Sequence, residues 1–77
     1  MTTIDLSQMV AGQTGRIISF NGGRGLVQRL ESMGIRLGVQ ITKVSGQLMR
    51  GPVVVRLGNT QVAIGFGMAR KILVEVH

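Results

Sequence analysis

At 77 residues the chain has room for one small domain, 1–77, and none for a second site-bearing unit. It has no Cys, Trp or Tyr, which excludes a disulfide framework and a thiolate metal site and leaves a core of Val, Ile, Leu and Met, the first two of which favour strands. Nine Lys or Arg against three acids give +6, a balance that favours anionic surfaces, and no apolar run approaches the roughly 18 residues of a membrane span.

The elements follow in chain order. "DLSQMVAG" (Asp5 to Gly12) predicts one short helical turn, with Ser7 as its cap, Met9 and Val10 facing inward and Gly12 at its end. "TGRIISF" (Thr14 to Phe20) is rich in β-branched residues and predicts a strand, broken by Asn21-Gly22-Gly23. Leu26, Val27, Leu30 and Met33 then share one face of a helix. Gly34 suits the left-handed position just past that helix, and such a stop folds Ile35 back over Leu30.

Gly38 allows a second bend, after which "VQITKV" (Val39 to Val44) predicts a strand with Val39 and Ile41 on one face. Val44 breaks the alternation, so a bulge is expected near Thr42 or Lys43. "PVVVRL" (Pro52 to Leu57) and "TQVAIG" (Thr60 to Gly65) read as a hairpin turned at Gly58-Asn59. "FGMARK" predicts a single helical turn, and "ILVEV" (Ile72 to Val76) a last strand with Ile72, Val74 and Val76 inward. The sum is an all-β fold: a small SH3-like barrel of five strands with one short helix plugging an end, closed so that no sheet edge is left open.

Enzyme chemistry finds no constellation. The three acids, Asp5, Glu31 and Glu75, fall on an end turn, a helix and an edge strand, where each reads as a solvated surface group. His77 is the one histidine; with Glu75 two residues earlier it supplies two ligands, too few for a closed metal site. No cofactor is implied. Gly22-Gly23-Arg24-Gly25 matches the spacing of an RNA-binding GXXG clamp, but it follows a strand and lacks stacking aromatics, so a strand-to-helix turn is the better reading.

The cations Arg16, Arg24, Arg29, Arg36, Lys43, Arg50, Arg56, Arg70 and Lys71 are strung along the chain, which favours a generally solvated cationic surface over a phosphate-binding stripe. Leu48 and Met49 stand out because a loop there should be polar. Beside Arg50 they suit a protein-binding surface, or the loop folds back over a barrel end; both readings stand. Arg24, Arg29 and Arg36 extend the same surface if helix and loop are neighbours.

"LSQMVAGQTGRI", "RLESMGIRLGVQITKV" and "GPVVVRLGNTQVAIGFGMARKILVEV" together resemble, in order and over nearly the whole chain, the FeoA family. Leu30, Met33-Gly34-Ile35 and Gly38 match the family's Leu-x-x-Leu-Gly-Leu-x-x-Gly run, with Met33 and Ile35 in place of two Leu. Gly51-Pro52 with the alternating Val, and Ala69 with Ile72 and Val74, match its second half, while Gly65-Phe66-Gly67-Met68 departs from the charged residues expected there. The resemblance implies an SH3-like barrel acting through FeoB, a membrane transporter with a cytosolic GTP-binding domain. The chain would then be a cytoplasmic accessory protein, at the membrane only through that partner and with self-association left open. The same domain type occurs in metal-dependent repressors of the DtxR type, whose helix-turn-helix region does not precede this stretch. A small basic barrel binding nucleic acid is the competing reading, although no stable nucleic-acid complex is expected.

Overall fold

The computed structural model describes residues 1–45 and 50–77, so Leu48 and Met49 lie outside the described residues. Its elements are β1 (Thr2–Asp5), a 3-10 turn (Leu6–Gln8), β2 (Thr14–Phe20), α1 (Arg24–Ser32), β3 (Gln40–Ser45), β4 (Val53–Leu57), β5 (Thr60–Ile64), α2 (Phe66–Ala69) and β6 (Ile72–Val76). Six antiparallel strands form one sheet in the order β1-β6-β2-β3-β4-β5. The SH3-like barrel stands, with six strands in place of five.

The added strand is β1, whose register pairs Thr2 with Val76 and Asp5 with Leu73. It places Glu75 on an interior strand, between β1 and β2, and not on an edge. The expected full closure is not seen among the described residues: the two ends of the sheet, β1 and β5, are not laced to each other, so each keeps an open edge.

The core follows strand alternation. Ile41 on β3, Val53 and Val55 on β4, and Ile72, Val74 and Val76 on β6 are buried with Leu6, Met9, Ile17, Leu30, Ile35, Ile64 and Ala69. Burying an aliphatic side chain of this kind contributes about 1.5–3 kcal/mol. Between β2 and β6 a Cβ on Gly15 would lie 2.9 Å from a Val76 methyl and 3.0 Å from the Glu75 carbonyl oxygen, so this close approach requires a glycine.

Helix α1 sends Leu30 into the core and packs Leu26 and Met33 against it. It stops as expected. Gly34 adopts φ +87°, its N–H donates to the Glu31 carbonyl at 3.0 Å, and the Ile35 N–H donates to the Leu30 carbonyl at 3.0 Å. This is the doubled bond of a Schellman turn, and it carries Ile35 into the core. Gly38 follows at φ +86°, and its N–H donates to the Ile17 carbonyl at 2.7 Å, tying the turn to β2.

The first turn differs in detail. Asp5, not Ser7, is the cap: its carboxylate accepts the Ser7 N–H at 2.9 Å, and Gln8 Oε1 accepts the Asp5 N–H at 2.9 Å. The turn begins two residues earlier than a Ser7 cap allows, and it ends at Gln8. Met9 is buried, while Val10 leaves toward solvent and is 65% exposed.

The inward alternation of β3 continues through Lys43, which is buried beside the core on the same strand face as Ile41. Its Nζ donates to the Met9 carbonyl at 2.6 Å. The bulge falls just beyond, between Lys43 and Ser45. Lys43 is therefore not part of the solvated surface.

Candidate docking surface

The acids do not converge. Asp5 is held in the cap with its carboxylate against the Ser7 N–H and hydroxyl, and Glu75 pairs with Arg16 at 3.3 Å across β2 and β6. Glu31 stands exposed on α1. Glu75 and His77 border a shallow cleft of about 670 Å³ with Met1, Arg16 and Gln40, and Arg16 engages the Glu75 carboxylate there. Among the described residues no group of three or more His, Cys, Asp or Glu is arranged to hold a metal ion.

Cations gather instead around α2. This four-residue helix follows β5 directly, and Ala69 on its inner side is buried in the same core as Leu6 of the first turn. On one side of α2 the Arg50 guanidinium stands 5.9 Å from the Phe66 ring centroid, within range of a cation–π contact. On another, Arg29, Leu26 and Gly25 of α1 face Gly65, Gly67 and Met68, with Lys71 just after α2, across a groove of about 560 Å³. Lys71 also borders an adjoining depression of about 400 Å³ with Asn21, Gly67 and Arg70.

Of the surface residues expected from sequence, Arg29 and Arg50 thus flank one short helix. Arg24 is exposed at the first position of α1. About 140° of helix rotation separates it from Arg29, which aims it elsewhere. Arg36 is exposed in the turn after α1 and does not line the groove. Leu26, Met68, Arg70 and Lys71 are additional members of this surface. Their sequence signal was the adjacent pair Arg70-Lys71 beside a half-apolar turn, but only the fold shows that Arg29 of α1 lines the same groove.

The model of the FeoA domain matches residues 4–76 of this chain. The chain belongs to the FeoA family. A protein of Methanocaldococcus jannaschii provisionally named Fe(2+) transport protein A is 38% identical over 64 residues, which cover 83% of this chain and 76% of that relative. The crystal structure of the iron uptake regulatory protein FeoA superposes with a TM-score of 0.87 at 31% identity, over 97% of each chain. A manganese-dependent transcriptional repressor also superposes with a TM-score of 0.87, over 97% of this chain and 42% of that one. At 20% identity that likeness shows a shared fold. The FeoA family is one of ferrous iron transport, not an enzyme family, and no helix of the described residues is long and apolar enough to cross a membrane.

Proposed function

We propose that this FeoA-family chain acts as one non-enzymatic domain in the cytoplasm, docking on a FeoB-like ferrous iron transporter with a GTP-binding domain and biasing that partner's conformations. A bound protein shifts such an equilibrium only through its differential affinity for the two states. The observation that carries this reading is the FeoA match over residues 4–76, joined to a cationic surface on which Arg29 and Arg50 flank α2. The docking surface would centre on Arg29 and Arg50 with Leu48 and Met49, while Arg24 and Arg36, which lie off the groove, would extend it at its periphery.

Capture from the native membrane fraction tests it. The chain should retain a transporter carrying a GTP-hydrolysing domain, and Leu48→Ser with Met49→Ser should weaken that retention while the fold persists. Absence of such a transporter from the captured proteins would overturn the reading. Unchanged retention by the double variant would remove Leu48 and Met49 from the surface.

A further inference from the structure

The groove between α1 and α2 carries two features that the fold does not call for. The first is glycine where a helix does not want it. Gly25 lies in α1 and Gly67 in α2, and glycine is the poorest helix former after proline. Neither has a positive φ, and a Cβ added at either would meet nothing within 4 Å. Neither a backbone angle nor a crowded neighbour explains them, yet both line this one groove.

The second is its chemistry. Half-buried Leu26 and Met68 supply apolar surface, and Arg29 and Lys71 supply positive charge. None of the three acids lines the groove. Asp5 is held in its cap, Glu75 pairs with Arg16, and Glu31 lies about 200° around α1 from Arg29. An occupant that satisfies the groove must bring carboxylates for the cations, an aliphatic side chain for Leu26 and Met68, and a backbone able to lie close over bare glycine. A nucleic-acid strand matches only the charge, since it favours aromatic stacking platforms, and the nearby Phe66 ring already faces Arg50.

We infer that the α1–α2 groove docks an acidic, leucine- or isoleucine-bearing peptide segment of a partner protein, with Gly25 and Gly67 kept bare so that the segment's backbone can approach. This rests on the reading of the chain as a protein-docking factor, and deepens it by naming the groove and the chemistry of what enters it.

The test is a titration of the full isotope-labelled chain, followed by amide NMR, with an acetylated pentapeptide of alternating glutamate and leucine. Shifts should centre on Gly25, Leu26, Arg29, Gly67 and Lys71. They should fade when lysine replaces glutamate or serine replaces leucine in the peptide. Arg29→Gln with Lys71→Gln should weaken binding roughly tenfold. Gly25→Ala with Gly67→Ala should do likewise while raising the melting temperature, a pairing that a merely structural role for these glycines would not produce.

Shifts centred elsewhere, an equal pattern from inorganic phosphate or a single-stranded oligonucleotide, or unchanged peptide binding by the glycine variant would each overturn the inference. The transporter capture separates the two readings. A groove variant that still retains the transporter as wild type does sinks the groove and leaves the docking function standing. Peptide binding without transporter capture by wild type supports the groove and sinks that function.

Discussion

Lys43 is the one charged side chain buried among the described residues. By type it reads as solvated, and by position it occupies an inward slot of β3, with Nζ on the Met9 carbonyl. Its main chain fastens the same loop, as the Gly12 N–H donates to the Lys43 carbonyl at 2.8 Å and the Lys43 N–H to the Gln13 carbonyl at 3.0 Å. Burial pushes the Lys43 ammonium below the ordinary lysine range. Between the folded and unfolded pKa values the unfolded chain therefore binds more protons, and stability rises with pH across that window. The cost of desolvating the charge is fully present below the folded value and is removed as pH climbs toward the usual lysine value of about 10.4. Denaturation followed from about pH 7 to about pH 10 should show this rise in the wild type and its absence in Lys43→Met. A pH dependence identical in the two proteins would show that Lys43 keeps an ordinary pKa in the fold.

The elements divide by how far apart their partners lie in the chain. The stop of α1 was legible because it is local: Leu30, Glu31, Gly34 and Ile35 close it within six residues. Gly34→Ala forces a side chain into φ +87° and should cost about 1–2 kcal/mol. A lower urea midpoint with an unchanged slope would report it. Strand β1 was not legible, because four residues with little alternation become a strand only when Val76 is there to pair with Thr2. The same distance effect moved Glu75 from an expected edge to the sheet interior, between β1 and β2.

At the scale of the whole molecule, +6 of charge acts through its arrangement. Arg16 is exposed but paired with Glu75 and Lys43 is buried, while Arg24, Arg29, Arg36, Arg50, Arg56, Arg70 and Lys71 are exposed. A partner met through such a surface should associate more slowly as salt rises, with dissociation changing far less, because screening weakens steering more than close contacts. Stopped-flow association at two salt concentrations measures this. A nucleic-acid function would show itself instead as tight binding at low salt that falls linearly on a double-logarithmic plot, and a gel-shift titration should show no such complex. Composition, periodicity and short-range glycine chemistry determined by themselves the helix, five of the strands, most of the core and the family pattern, because each depends on residues a few positions apart. The sixth strand, the buried Lys43 and the grouping of Arg29 with Lys71 and Met68 were decided by tertiary structure alone. Those depend on which distant segments the sheet brings side by side, and side-chain type does not encode its neighbours.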